Sequence, residues 1–387
     1  MIPELLVAAD DRSGAFEVAA RLADGGAGPV PVVPWVGTTE EPDRVGSDSS
    51  TVVVDLGSRH LDPVEASRRA LRVDARPSGR HAHKIDSTLR GNWPHELVAR
   101  ARRAPVLLVP ALPEFGRSCR GGTVFDGDRP VTEGPAGDDL RQRPVSSRPA
   151  DILELAGADD VVALSDIAAV RGWCQQPSGI AVADASTDVD LDRIVGQWST
   201  SRDVVLAGTS AVIGRTSGTG SSVDRSADRS SEVRRPDGGV LLVCGSVHPM
   251  ARRQVAEIAR RGIPVTEVVD VPFIASHEPT GVRVITTRTP VGAVTPSMAE
   301  EVSSMLARHV ADLLARGEVG TLILIGGDTA AAVLGAVPVM VLGTAGRGTA
   351  RAIVVGPTGE PMLVITRAGG FGDESSLDTL LRSTLST

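Results

Sequence analysis

Between Lys84 and Arg90 the sequence reads "KIDSTLR", in which Lys84, Asp86, Ser87, Thr88 and Arg90 are interrupted only by Ile85 and Leu89. Neither a core strand nor a surface helix needs two cations, a carboxylate and two hydroxyls in so short a run. In an extended segment Lys84 and Asp86 share a face. A guanidinium can grip a carboxylate through two parallel bonds. Lys84 or Arg90 could therefore hold an acidic substrate while Asp86 handles its hydroxyl. A plain ion pair of Asp86 with Lys84 or Arg90 would leave Ser87 and Thr88 without a purpose.

A second polar group closes "LVAADDRSG", where an apolar strand pattern ends on Asp10 and Asp11, and Ser13 and Gly14 open a helix. Successive strand residues face opposite ways. One aspartate can reach a ligand while the other caps the helix, or both can be caps. In the second half three strand patterns end in small residues. "VLLVCGSVHP" ends on Gly245 and Ser246, "LILIGGDTAAAVL" on Gly326, Gly327, Asp328 and Thr329, and "MLVITRAGGFGDESSL" on Arg367, Ala368, Gly369 and Gly370. Small residues let backbone N–H groups approach an anion, and a helix N-terminus favours negative charge. Three such turns could line one nucleotide site. Asp328 would repel a phosphate unless a magnesium ion or water lay between them, and it serves equally well as a helix cap.

Other motifs say less. His81 and His83 form an HxH pair with no further ligand at metal-site spacing. Arg117 and Arg120 lie in a glycine-rich loop placed near the cleft. No GxxxxGK[ST] is present, which disfavours a Walker-type ATPase. "GTAGRGTAR" offers Gly343, Gly346 and Gly348 as a weak dinucleotide fingerprint, and "GTGSS" a weak phosphate loop.

These groups must be positioned by alternating strands and helices. In the first half "ELLVAAD", "TVVVDLG", "PVLLVPAL", "DVVALS", "GIAVADA" and "DVVLAG" read as strands. Ala15, Val18, Ala19 and Leu22 form one helical face, and further helices fall at 64–72 and 188–198. From 214 to 239 the chain is Ser, Gly, Asp and Arg with almost no apolar residues, a linker composition. A second set of strand and helix patterns follows, and "PTGEP" between the last two strands suits a hairpin. The expected fold is α/β, with two domains at 1–213 and 240–387. Each is a mainly parallel sheet flanked by helices, with a cleft between them.

The totals agree. A chain of 387 residues is too long for one ordinary core. A net charge of -8, no tyrosine and 2% aromatics argue against a nucleic-acid binder. Cys119, Cys174 and Cys244 are far apart and odd in number, which fits a reducing cytoplasm. The N-terminus lacks a basic, signal-like region, and no apolar run reaches the roughly 20 residues of a membrane helix. A soluble cytoplasmic protein without membrane or nucleic-acid partners is expected, and a homodimer is the commonest assembly.

"ADDRSGA", "KIDSTLRGN", "GGDTA" and "TRAGGFG" occur in the order and spacing of the four-carbon acid sugar kinase family, which the chain resembles from Ala9 to Gly372. The resemblance implies an N-terminal domain for the acid sugar and a C-terminal domain for the nucleotide. It implies ATP-dependent phosphorylation of threonate, erythronate or an oxo-tetronate, with Mg2+ on the phosphates. Carried over by residue, the substrate side is Asp10, Asp11, Ser13, Lys84, Asp86, Ser87 and Arg90, with Asp11 or Asp86 as the catalytic carboxylate. The nucleotide side is Ser246, Gly326, Gly327, Asp328, Thr329, Arg367, Gly369 and Gly370. Two departures stand out: Arg12-Ser13 where the family has Leu-Thr, and Arg367-Ala368 where it has Lys-Ser. An acid-sugar sensor without turnover and a nicotinamide-dependent oxidoreductase are the competing readings.

Overall fold

In a computed structural model, residues 2–35, 49–139, 142–217, 238–268, 281–288, 295–357 and 359–386 are described. The chain divides into two units, Met1–Ser222 and Val223–Thr387. The "GTGSS" stretch and most of the expected linker, 218–237, lie outside the described residues.

The first unit runs β1 (Leu5–Ala9), α1 (Arg12–Leu22), β2 (Val30–Pro34), β3 (Thr51–Asp55), α2 (Pro63–Asp74), β4 (Arg80–Lys84), α3 (Trp93–Ala101) and β5 (Val106–Val109). Then come β6 (Arg117–Arg120), β7 (Thr123–Asp126), β8 (Arg129–Pro130), α4 (Pro149–Leu155), β9 (Val161–Leu164), α5 (Ile167–Gln175), β10 (Ile180–Ala183), α6 (Asp188–Trp198), β11 (Val205–Gly208) and α7 (Ser210–Gly214). Its main sheet has the order β2-β3-β1-β4-β11-β5-β10-β9, and its pairings are parallel. Parallel strands are covered on both faces, so β1 (LLVAA) and β3 (TVVVD) are almost continuously apolar and wholly buried. One core gathers Ile85, Leu89, Trp93, Leu97 and Leu108. Another gathers Leu6, Val54, Leu56, Ala70 and Val73. A small antiparallel sheet, β6-β7-β8, is separate. Helix α6 keeps the bounds that its pattern predicts, because Thr187 and Asp190 form a reciprocal capping box at its start.

The second unit runs β12 (Gly239–Cys244), α8 (Pro249–Arg260), β13 (Val265–Glu267), β14 (Val282–Thr286), α9 (Pro296–Ala315), β15 (Val319–Ile325) and α10 (Gly327–Leu334). It ends with β16 (Val339–Thr344), β17 (Thr349–Val355), β18 (Pro361–Arg367) and α11 (Ser376–Ser386). Strand order is β13-β14-β12-β15-β18-β17-β16, parallel as far as β18 and antiparallel from there. Its core packs α8 and α11 on the sheet through Val255, Ile258, Leu377 and Leu381. The β17–β18 hairpin is present, closed by Gly356 N donating to Glu360 O at 2.8 Å. The dinucleotide reading of Gly343, Gly346 and Gly348 is corrected: these glycines turn the β16–β17 hairpin, where Ala345 N donates to Thr349 O at 2.9 Å. A dinucleotide loop opens a helix, and here a strand follows. Among the described residues no helix is long and apolar enough to cross a membrane.

Each sheet has a point where strand order reverses. In the first unit the chain leaves β1 toward β3 and β2, then returns to place β4 on β1's other side. In the second, β14 and β13 lie to one side of β12 and β15 to the other. Ligands of open parallel sheets bind beyond the carboxyl ends of strands at such reversals.

Candidate functional site

Beyond the carboxyl ends of β1, β3 and β4 the first unit gathers three aspartates, two arginines and a lysine. Asp11 is the N-cap of α1, accepting from Gly14 N at 2.9 Å and from Ser13 Oγ at 2.7 Å. Ser13 therefore orients Asp11. Asp10, fully buried, faces Arg59 in the loop after β3. Arg59 donates to Asp10 through Nε (2.7 Å) and Nη2 (3.1 Å), and to Asp11 through Nη1 (2.9 Å) and Nη2 (3.0 Å). The same Nη2 lies 4.0 Å from Asp86 Oδ1. Sequence reasoning missed Arg59, because a single arginine in "LGSRHLD" carries no pattern.

The "KIDSTLRGN" turn surrounds Asp86. Its Oδ2 accepts from Thr88 Oγ1 (2.5 Å), Arg90 Nε (2.8 Å) and Arg90 N (3.2 Å), and its Oδ1 from Arg90 Nη2 at 3.2 Å. Arg90 Nη1 donates to Asp139 at 2.6 Å. Arg90 is thus committed on both sides, and holding a substrate carboxylate would require it to exchange partners. Lys84 contrasts with it. Its side chain is almost buried, at 4% exposure, beside Asp11 and Gly14, and its ammonium makes no hydrogen bond or ion pair among the described residues. Ser87 accepts from Arg117 Nη1 at 2.8 Å, which joins the small antiparallel sheet to the turn.

Two backbone features fix this turn. Leu89 has φ +64°, the one non-glycine residue among those described in the left-handed region, at a cost of about 1–2 kcal/mol. Its side chain is core, and its carbonyl accepts from Trp93 Nε1 at 3.1 Å, so packing holds the strained turn. At Gly91, with φ +99°, a Cβ would sit 2.9 Å from Asp10 Oδ2. Asn92, next in sequence, donates to Ser58 O (2.8 Å) and Leu61 O (2.7 Å), tying the turn to the Arg59 loop.

Burial sets different charges on the three carboxyls. It pushes Asp10 up to about 6, against the pull of Arg59 and helped by the charge of Asp11. At Asp11 burial is outweighed by Arg59, Lys84 and the Ser13 and Gly14 hydrogen bonds, so its carboxyl lies below the usual range. At Asp86 burial is outweighed further by Arg90 and Arg59, and its carboxyl is held well below that range. Arg12 is not part of the site. Its Nε meets Asp55 Oδ2 at 2.5 Å in a buried pair beneath the strand ends. His83 is also structural. Arg100 can only donate, so His83 Nδ1 accepts from it (2.8 Å) and Nε2 donates to Glu96 (2.8 Å).

The second unit brings its three turns together. A Cβ on Gly245 would lie 2.5 Å from Thr329 Oγ1, and one on Gly326 would lie 3.3 Å from both Ser246 and Thr329. A Cβ on Gly369 would overlap Ser246 Oγ, and one on Gly370 would lie 3.2 Å from His248 Nε2. The N-termini of α8 and α10 open beside these turns, with His248 and Gly326 as N-caps. Asp328 and Thr329 stand in the first turn of α10. Arg367 behaves differently from expectation. Its guanidinium is buried and donates to Gln254 Oε1. Gln254 Nε2 in turn donates to Phe371 O (3.0 Å) and Asp373 O (2.6 Å). Arg367 therefore braces the glycine loop from within, through a glutamine that the helical pattern of α8 does not distinguish.

Residues 5–215 match the family model described as a sugar-binding N-terminal domain, and 273–377 that of a nucleotide-binding C-terminal domain. A D-threonate kinase of Cupriavidus necator is 34% identical over 48% of this chain, and the match spans about half of that protein, 47%. A D-threonate kinase of Bordetella bronchiseptica is 27% identical over 98% of this chain and 96% of its own. A 3-oxo-tetronate kinase of Methylobacterium radiotolerans is 28% identical over 94% and 95%. A solved protein of Salmonella typhimurium LT2 shares the fold, with a TM-score of 0.73 at 19% identity over 98% of both chains.

Proposed function

The chain belongs to the four-carbon acid sugar kinase family, and from that premise we propose that it transfers the γ-phosphoryl group of ATP to a hydroxyl of a four-carbon sugar acid. The threonate, erythronate and oxo-tetronate class is the substrate class that its full-length relatives support. The observation that carries the reading is the pairing of sites at strand-order reversals. One is lined by Asp11, Lys84 and Asp86, the other by glycine turns at helix N-termini.

In the first unit Lys84, whose ammonium makes no hydrogen bond or ion pair among the described residues, holds the substrate carboxylate. Asp11 and Asp86 accept from the hydroxyl that is phosphorylated. Asp11 is the better proton acceptor, because Arg90 and Arg59 hold the Asp86 carboxyl well below the usual range, whereas Asp11 is lowered less. Little covalent chemistry is asked of the protein in phosphoryl transfer. Positioning and charge neutralisation supply most of the acceleration, so an ionised, well-held carboxylate suffices. In the second unit the N–H groups at Gly326–Gly327 and Gly369–Gly370 with the hydroxyls of Ser246 and Thr329 would hold the phosphates. Magnesium on nucleotide phosphates needs only one or two protein carboxylates, and Asp328 beside Gly327 fits that need. Bound there, the ion would neutralise phosphate charge.

The test is coupled ATP consumption with magnesium against D- and L-threonate, D-erythronate and the 2-oxo and 3-oxo tetronates. ADP release with one acid is the expected result. A protein that binds an acid from this panel yet consumes no ATP would be a sensor and would overturn the kinase reading.

A further inference from the structure

Among the described residues Arg59 is the one arginine that touches both strand-end aspartates of β1. Ser58 N and Arg59 N donate to the Asp10 carbonyl at 2.9 and 3.1 Å, so the residue is pinned to Asp10 by main chain as well as side chain. Its stem packs on Gly91, and Asn92 holds the loop at Ser58 and Leu61. Four of its side-chain contacts go to Asp10 and Asp11, and its far edge faces Asp86. Asp10 is fully buried and engaged by Arg59, whereas Asp11 and Arg59 keep 14% and 15% of their side-chain surface exposed.

Resting on the kinase reading above, we infer that Arg59 is a positioning residue of this site: anchored on Asp10, it holds Asp11 in place as the acceptor for the substrate hydroxyl. Two neighbouring buried carboxylates raise each other's pKa, and a cation between them opposes that rise. Around this pair stand Arg12 on α1, Asp55 at the end of β3, Lys84 at the end of β4, and Asp86 and Arg90 in the following turn. Of the cations among these, Arg59 alone is hydrogen-bonded to both Asp10 and Asp11. Removing it leaves Lys84 as the nearest cation, and one carboxyl of the pair must then take up a proton at higher pH. The Asp10 carboxyl already sits near 6 with Arg59 present.

The experiment uses the full chain and the variants Arg59→Gln and Arg59→Lys. Aspartate side-chain carboxyls are followed by 13C NMR from pH 4 to 9, with Asp10→Asn and Asp11→Asn to assign the pair. The pH profile of kcat/KM is recorded alongside. In Arg59→Gln one carboxyl of the pair should titrate at least about one pH unit higher, and the acid limb of kcat/KM should move with it. Arg59→Lys should restore the limb by its charge but keep a lowered kcat, because an ammonium has three donors and no planar fork to reproduce the four bonds of Arg59. Unshifted titrations in a folded Arg59→Gln protein would overturn the inference. The NMR arm decides Arg59 even if no acid in the panel is turned over, so failure of the kinase reading and failure of this inference are distinguishable.

Discussion

On the proposed reading, the two units solve the same problem, holding an anion beyond the carboxyl ends of parallel strands, with opposite means. The first uses long charged side chains locked by one another: Arg59 across Asp10 and Asp11, and Arg90 across Asp86 and Asp139. The second uses almost no side chain at all: its turns are glycines whose missing Cβ atoms leave room for Ser246, Thr329 and His248. A sugar acid differs from its stereoisomers in where its hydroxyls point, and discriminating them takes buried donors and acceptors at fixed places. A triphosphate is recognised by charge and shape, which backbone N–H groups supply. The first site should therefore break when a charge is changed, and the second when an atom is added.

The largest effect is expected from Asp11→Asn and Asp86→Asn, each lowering kcat by about 10²–10⁴-fold, measured at saturating ATP and acid. Asp86→Asn should also change stability with pH. The folded Asp86 carboxyl is depressed, so its contribution is fully present above the ordinary aspartate value and is lost as pH falls below that value toward the folded one. The variant should melt below wild type at pH 7 and converge with it in acid. Gly369→Ala comes next. The added methyl must displace Ser246, and KM for ATP should rise about tenfold or more while KM for the acid holds.

Asp10→Asn tests the buried half of the pair. The folded Asp10 carboxyl is raised to about 6, so the fold takes up a proton that the unfolded chain does not between the ordinary aspartate value and 6. That contribution to stability falls as pH rises through the window. Thermal melts of Asp10→Asn should lose this slope. The smallest effect on turnover should come from Arg12→Leu, which restores the family's usual residue outside the site. Rates should stay within about twofold, while stability drops because Asp55 is left buried without its cation. A large loss of rate in Arg12→Leu would show that the buried pair reaches the chemistry.

Where hydrophobic pattern dictates structure, the sequence is readable. The buried runs of β1, β3, β12, β15 and β18 and the helices α1, α2 and α6 lie within a few residues of their patterns. Strand β4 was not readable as a strand, because "RHAHK" is polar. Its residue His83 is buried in a network with Glu96 and Arg100 that no periodicity reveals. The small antiparallel sheet was equally hidden, its strands being four residues or fewer with no regular alternation. Motif residues announced themselves by their density around Asp86 and by glycines at strand ends. Arg59 and Gln254 did not, since each works through partners far away in sequence. Arg59 meets Asp10 across 49 residues, and Gln254 meets Arg367 across 113.

The most direct test of the division of labour is calorimetric binding of the preferred sugar acid and of a non-hydrolysable ATP analogue, measured separately. The proteins are the wild type, Lys84→Met and Gly369→Ala. Lys84→Met should weaken the acid by about tenfold or more and leave the nucleotide unchanged, and Gly369→Ala should do the reverse. Wild-type acid affinity in Lys84→Met, or loss of the nucleotide in that variant, would contradict the assignment of the two sites.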